Sequence, residues 1–190
     1  MDLTDISSKL EKVLTPKRFV HSINVMKTSV DLAQAHGMDA SKAALAGLLH
    51  DCARDIKGEE LFDLCRKYGV AVEAIARMQP ELLHGALGAE LARAVYNVVD
   101  EEILSSIRYH TTGCSNMSLL DKIIFLADSI EPGRTFYGVE DLRQATSRDL
   151  NEAVLLSLEK TMKHVMSRGG LIHPDTLEAR NSLILEKKMK

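Results

Sequence analysis

Residues 42–53 read KAALAGLLHDCA, a run of small and apolar residues that ends near the adjacent pair His50-Asp51. Ala and Gly side chains allow neighbouring helices to approach closely, so the run predicts a buried helix within a helical protein. Asp39, just before the run, has the short acceptor side chain that favours a helix N-cap. The stretch therefore predicts a helix that carries an imidazole and a carboxylate into the core.

Helical signals continue towards the N-terminus. Residues 3–14 predict a short amphipathic helix, and Thr15-Pro16 predicts the start of a longer helix that Gly37 ends. The longer helix carries two neighbouring apolar stripes, which indicates that most of its surface is buried. His21 lies in one of these stripes, so its side chain is predicted to point into the protein.

Helical signals also continue towards the C-terminus. Ser118 and Asp121 have the spacing of a capping box, and Pro132 predicts the end of the helix that they open. Pro174 predicts the start of a C-terminal helix within 174–190. Further helices are predicted at 59–68, in the seventies, and at 85–97, 100–110 and 149–168. No strand-like alternation and no Gly/Ser-rich linker interrupts them, so we expect an all-α bundle with a single domain over 1–190.

Composition excludes several classes of protein. The 190 residues include 24 basic and 27 acidic residues, for a net charge of −3, which gives no basic footprint for nucleic acid. Trp is absent, and four Phe and four Tyr are too few for a stacking platform on single strands. No apolar run approaches the ~20 residues of a membrane span, and the N-terminus lacks the pattern of a signal peptide. Three cysteines at no metal-like spacing fit reduced thiols, so we expect a cytoplasmic protein without a nucleic-acid or membrane partner.

The His50-Asp51 pair alone is weak evidence of a site. With seven His and 13 Asp in the chain, chance gives about half of one such pair. Its significance comes from other residues, each in or at the end of a different predicted helix: His21, His84, His110 and Asp128. Helical bundles build metal sites from inward-facing side chains of separate helices in this way.

Asp128 carries the most weight among these residues. It interrupts the apolar run IIFLADSI, where an unpaired carboxylate costs several kcal/mol unless a cation or hydrogen-bond network meets it. A simpler interpretation remains for each residue taken alone. A histidine can be a hydrogen-bonded core residue, and Asp128 can pair with Arg134 or Lys122.

The candidate ligands are imidazoles and carboxylates, without thiolates. This set suits Fe, Mn, Co, Ni or Zn and does not resemble a structural zinc finger. Six ligands exceed what one catalytic ion needs, so the site is predicted to hold one ion or two, with Asp51 bridging in the second case. Two ions ~4 Å apart can activate a water and stabilise an in-line displacement at phosphorus.

Polar residues near these ligands fit a phosphate substrate. Arg18 precedes His21 by three residues, and Arg54 follows Asp51 by three, so each lies about one helical turn from a candidate ligand. Arg134 follows the helix of Asp128, and Thr111 follows His110. Guanidinium groups match pairs of phosphate oxygens, although any single arginine can also be a surface residue.

Six stretches of the chain resemble a known family. They are RFVHS (18–22), LLHDCAR (48–54), LLHGALGA (82–89), IRYHTTG (107–113), ADSIEPGR (127–134) and IHPDTLEARN (172–181). Together they resemble the HD superfamily of metal-dependent phosphohydrolases. They are most similar to its YqeK family of bacterial symmetrical diadenosine tetraphosphate hydrolases.

This resemblance implies an HD-domain helical bundle with a metal site in its core and cleavage of diadenosine tetraphosphate into two ADP. It implies a bound iron or similar divalent transition metal held by His21, His50, Asp51 and Asp128. His84 and His110 would then hold a second ion or face the phosphates. The expected nucleotide contacts are Arg18, His84, His110, Thr111 and Arg134. The expected catalytic residues are Asp51, Arg18, Arg54 and Arg134.

Other functions stay open at this point. A phosphohydrolase of the same superfamily could act on deoxynucleotide monophosphates or triphosphates instead. A non-catalytic nucleotide or metal sensor could keep the same pocket, and a structural helical adaptor would leave Asp128 unexplained. The sequence does not decide the oligomeric state, and a homodimer is one of the states it allows.

Overall fold

The computed structural model describes residues 2–189, and this part of the chain forms eleven α-helices and no strand. The predicted all-α class is therefore confirmed. In chain order the helices are α1 (Leu3–Val13), α2 (Pro16–Ala35), α3 (Ala40–Leu49), α4 (Gly58–Lys67), α5 (Ala74–Met78), α6 (Leu83–Tyr96), α7 (Glu101–Tyr109), α8 (Leu119–Ile130), α9 (Val139–Thr146), α10 (Leu150–Ser167) and α11 (Pro174–Lys188).

Several helix ends form where the sequence predicted them. The side chain of Asp39 accepts from the backbone N–H of Ser41 at 2.8 Å, which caps the start of α3. Ser118 and Asp121 form a reciprocal capping box at the start of α8. That helix ends at Ile130, two residues before Pro132, as expected from the restriction that proline places on the preceding residue.

The core lies where α2, α3, α7 and α8 meet. α2 packs most extensively on α3, and both also contact α8. A glycine makes the first of these contacts close, because a Cβ on Gly47 would lie 2.9 Å from the Cα of Met26. The small residues of α3 therefore bring the backbones of α2 and α3 together, and with them the segments that carry His21 and His50.

Two elements differ from the prediction. The third helix was predicted to continue through Ala53, but α3 ends at Leu49 and short turns follow it, such as the bond from the N–H of Cys52 to the carbonyl of Leu49 at 3.0 Å. Consecutive side chains of a regular helix diverge by about 100°. The side chains of His50 and Asp51 nevertheless meet in the turn that follows α3, with Nε2 of His50 3.8 Å from Oδ2 of Asp51. α9 was not predicted, because it begins after Gly138 without a side-chain cap.

Within residues 2–189, no helix has both the length and the apolar character that are needed to cross a bilayer. The prediction of a single domain over 1–190 stays a prediction.

Candidate metal centre

Five helices bring together all six residues that the sequence singled out as candidate ligands. α2 contributes one His from its buried face, α3 is followed directly by a His and an Asp, α7 is followed directly by a His, α6 has a His in its first turn, and α8 contributes an Asp from its last turn. The six residues are His21, His50, Asp51, His84, His110 and Asp128, and all except Asp128 are buried.

All four imidazoles bind an acceptor through Nδ1. His50 Nδ1 donates to the carbonyl of Gly47 at 2.7 Å, and His110 Nδ1 donates to the carbonyl of Ile107 at 2.7 Å. His84 Nδ1 donates in the same way to the carbonyl of Glu81, and His21 Nδ1 donates to a carboxylate described below. These bonds assign the hydrogen to Nδ1, so each Nε2 can offer its lone pair to a metal.

The Asp51 carboxylate lies between two pairs of histidines. Its Oδ1 is 3.2 Å from Nε2 of His84 and 3.6 Å from Nε2 of His110. Its Oδ2 is 3.8 Å from Nε2 of His50 and 3.9 Å from Nε2 of His21. One carboxylate thus presents a different oxygen to each pair of imidazoles.

Within each pair the two Nε2 atoms lie close together. They are 3.2 Å apart in His21 and His50, and 3.0 Å apart in His84 and His110. Two bare ring nitrogens repel at this distance unless a cation or a proton lies beside them. Neighbouring ligands that are each about 2.1 Å from one ion are themselves about 3 Å apart, so the donor set fits a divalent metal.

A second carboxylate completes the centre on the side of His21. Asp128 Oδ1 lies 2.9 Å from Nε2 of His21 and 3.8 Å from Nε2 of His50. The Asp128 side chain is 21% exposed, and it also pairs with Arg134. The sequence predicted a buried position for Asp128, but its side chain lies at the solvent-facing edge of the centre. Its pairing with Arg134 is one of the two pairings that the sequence left open.

Two of these groups, Asp51 and His50, have pKa values that favour metal binding. Burial would raise the pKa of Asp51, but the imidazoles of His50, His110 and His84 outweigh it and hold the pKa well below its usual range. Burial lowers the pKa of His50 to about 4, so this ring is neutral at pH 7. An ionised carboxylate beside a neutral imidazole is the state in which both bind a cation.

The sequence did not single out Glu131, which supports His21. Glu131 is 3% exposed, and its Oε1 accepts from Nδ1 of His21 at 3.1 Å. Its Oε2 accepts from Nδ2 of Asn24 at 3.0 Å and from the N–H of Gly133 at 2.6 Å. Because both of its oxygens accept hydrogen bonds, this carboxylate is held in place and fixes the His21 ring with Nε2 towards the centre.

Glu131→Gln is expected to weaken metal binding by about 10- to 100-fold. One carboxylate oxygen becomes an NH₂ group, which cannot accept a hydrogen bond from the donors that surround Glu131. Titration of the metal against a competing chelator measures this change. Glu59→Gln, a surface change in the first turn of α4, is the matched control. Equal metal affinity in Glu131→Gln and the wild-type protein would show that His21 needs no such support.

Two of the predicted arginines reach the centre. Arg18 Nη1 donates to Oδ2 of Asp51 at 3.1 Å, and its side chain is 32% exposed. Arg134 Nε donates to the backbone carbonyl of Asp128 at 2.7 Å, while its Nη2 lies 3.4 Å from Nε2 of His21. Both guanidinium groups therefore lie between the His/Asp centre and solvent.

The other two predicted residues lie on the side of His84. Thr111 Oγ1 is 3.3 Å from Nε2 of His84, so this hydroxyl lies at the centre. Among the described residues, Arg54 meets the six candidate ligands only through its backbone, whose N–H donates to the carbonyl of Asp51 at 2.9 Å. Its Nη1 donates to the carbonyl of Glu81 at 3.2 Å, the same carbonyl that accepts from His84, and both side chains line one groove.

Comparison with known proteins gives one consistent family. Residues 18–133 match the family model described as HD domain. The chain is 45% identical to a protein of Halalkalibacterium halodurans named symmetrical bis(5'-nucleosyl)-tetraphosphatase, over 92% of this chain and 93% of the relative. A Bacillus subtilis protein of the same name is 37% identical over 92% of this chain and 94% of the relative.

A solved structure is similar over nearly the whole chain. It is a crystal structure from Clostridium acetobutylicum, described as a predicted HD superfamily hydrolase involved in NAD metabolism. The two chains are 45% identical and superpose with a TM-score of 0.94, over 98% of each chain. The arrangement of helices described above is therefore that of the HD superfamily.

Proposed function

This chain belongs to the HD-domain family and, within it, to the symmetrical bis(5'-nucleosyl)-tetraphosphatases, and from that membership we propose that it is a metal-dependent hydrolase that cleaves diadenosine tetraphosphate into two ADP. The main structural support for hydrolytic chemistry is that four imidazole Nε2 atoms converge on the two oxygens of Asp51. The choice of substrate is supported by the relatives, whose names state the symmetrical cleavage of a bis(5'-nucleosyl) tetraphosphate.

The metal ligands proposed are His21, His50, Asp51 and Asp128, with His84 and His110 available for a second ion. Iron is proposed, and Mn, Co, Ni and Zn also suit nitrogen and oxygen ligands. When bound, a divalent ion supplies Lewis acidity and an activated water at neutral pH. The two-sided position of Asp51 supports a bridging role in a centre with two ions.

The residues of the chain supply binding and charge stabilisation. Arg18 and Arg134 lie on the solvent side of the centre, where their N–H groups can donate to non-bridging phosphate oxygens as negative charge develops. Thr111 offers a hydroxyl on the side of His84, and Arg54 adds positive charge at the rim. The leaving group is ADP, a stable anion, so a strong general acid is not required.

Chromatography of the reaction products tests this function. Purified protein with its metal is expected to convert diadenosine tetraphosphate into ADP alone, and a chelator is expected to stop the reaction. AMP with ATP as products would contradict symmetrical cleavage. NAD serves as a comparison substrate because the similar structure is described as involved in NAD metabolism. Turnover of NAD without turnover of diadenosine tetraphosphate would overturn the proposal.

Arg18→Ala is expected to lower kcat/KM by about 10²-fold, because one of the two guanidinium groups at the centre is lost. Arg18→Lys is expected to recover only part of this loss, since an ammonium group cannot make two parallel hydrogen bonds to a phosphate. Steady-state kinetics measures both variants, with Arg168→Ala on the surface as the control. Wild-type kcat/KM in Arg18→Ala would remove this residue from the catalytic set.

A further inference from the structure

Two adjacent aromatic rings are exposed in the loop between α8 and α9. Tyr137 has a relative exposure of 102% and Phe136 of 45%, in a chain with only eight Phe and Tyr residues and no Trp. A ring that stays fully in water contributes nothing to the core, and adjacent exposed aromatic residues are a common feature of ligand sites. The packing of the described residues gives no reason for this exposure.

The loop that carries these rings is anchored at both ends. Arg143 Nη2 donates to the carbonyl of Glu131 at 2.9 Å and to that of Arg134 at 3.1 Å. Lys160 Nζ donates to the carbonyl of Gly138 at 3.1 Å. Gly138 has a φ of +84°, a conformation that strains other residues, and the chain turns there into α9. The two rings are therefore presented from a defined position.

That position is next to the metal centre. Arg134, in the same loop, contacts Asp128 and lies near His21. Three residues span at most about 11 Å, so Tyr137 lies within the length of one ADP unit of Arg134. Both rings line a groove of about 550 Å³ that also includes Arg134 and Arg143, and this volume is in the range of small-molecule sites.

The shape of a symmetrical substrate indicates which of its groups would bind in this groove. Cleavage at the middle of a tetraphosphate places the scissile phosphates at the centre and one adenosine on each side of it. Thr111 lies on the side of His84, and Arg134 lies on the opposite side, with His21 and Asp128. A nucleoside that leaves the centre past Arg134 therefore meets the groove of Phe136 and Tyr137.

We propose that this groove is the subsite for one of the two adenosines of the substrate, whose purine base stacks on Tyr137 with Phe136 beside it. The proposal rests on the proposed function. Arg134 would contact the phosphates of the same half of the substrate. Stacking of a base on an aromatic ring contributes enough for a loss of about tenfold in affinity when the ring is removed.

Variants of Tyr137 test the subsite through KM. Tyr137→Ala is expected to raise the KM for diadenosine tetraphosphate about tenfold, with the change on KM rather than on kcat. Tyr137→Phe keeps the ring and is expected to restore KM relative to Tyr137→Ala. A merely structural role for the side chain would not give this separation between KM and kcat. An unchanged KM in Tyr137→Ala would overturn the subsite.

A fluorescent reporter tests the contact directly. Because the chain has no Trp, Tyr137→Trp places a single indole in the groove. Its emission is expected to be quenched by a diadenosine tetraphosphate analogue with a methylene group at the central bridge, and not by inorganic tripolyphosphate. Val99→Trp, at a site that is 82% exposed in another loop, is the control and should not respond.

The two proposals fail in different ways. If the wild-type protein forms ADP from diadenosine tetraphosphate while the Tyr137→Trp emission does not change, the subsite is overturned and the hydrolase stands. If the wild-type protein does not hydrolyse diadenosine tetraphosphate, the proposed function is overturned, and the subsite with it.

Discussion

Replacing Asp51 by Asn is expected to remove both the bound metal and the hydrolysis, with a fall in kcat of about 10³-fold or more. The two oxygens of Asp51 face both pairs of histidines, and the amide nitrogen of Asn has no lone pair to offer to a metal. The substitution also removes the negative charge at the middle of the four imidazoles. Elemental analysis and steady-state kinetics of the same preparation measure both losses.

Asp63→Asn is the matched control for this variant, because it removes one carboxylate from a side chain that is 65% exposed on α4. Circular dichroism of both variants checks that the helical content is retained. Full metal content or full activity in Asp51→Asn would contradict the position of this residue at the middle of the centre.

Gly85→Ala is expected to destabilise the protein by about 2–3 kcal/mol and to lower Tm by roughly 5–10 °C. A Cβ at Gly85 would lie 2.5 Å from the backbone carbonyl oxygen of Arg108, so α6 and α7 would have to move apart. Since α6 carries His84 and α7 is followed by His110, the same movement is expected to reduce metal affinity. Thermal unfolding measures the main effect.

Gly88→Ala, one turn along the same helix, is the control. There the new Cβ would lie 3.4 Å from Cγ2 of Ile107 and 3.5 Å from Sγ of Cys52, contacts that small shifts can accommodate. The gain in helix propensity from Gly to Ala offsets part of that cost. If Gly85→Ala unfolds at the same temperature as Gly88→Ala, then α6 and α7 do not approach as closely as described.

Much of the fold could be predicted because helix ends depend on local chemistry. The capping box of Ser118 and Asp121 and the cap of Asp39 are short-range hydrogen bonds that the sequence displays directly. The end of α3 could not be predicted in this way, because turns rather than a Gly or Pro follow Leu49. α9 was missed because Gly138, which precedes it, provides no capping side chain.

The candidate site could be predicted in outline for a different reason. Polar residues such as Asp128 stood out against apolar runs, and the structure brings the six candidate ligands together. Glu131 was missed because an acid just before Pro132 resembles an ordinary residue at a helix end, and only the tertiary structure places it against His21. The one feature of the sequence that pointed to Glu131 was its position as an acidic residue directly after the apolar helix that contains Asp128.

The function of the centre depends on whether a metal binds there. Anomalous diffraction at the absorption edge of the metal, from crystals of the protein purified with its native metal, locates that ion directly. We predict a peak about 2.1 Å from Nε2 of His21 and of His50, with a second peak beside His84 and His110 if two ions bind. A metal-free centre in crystals of protein that hydrolyses diadenosine tetraphosphate, or a peak elsewhere in the molecule, would contradict the account.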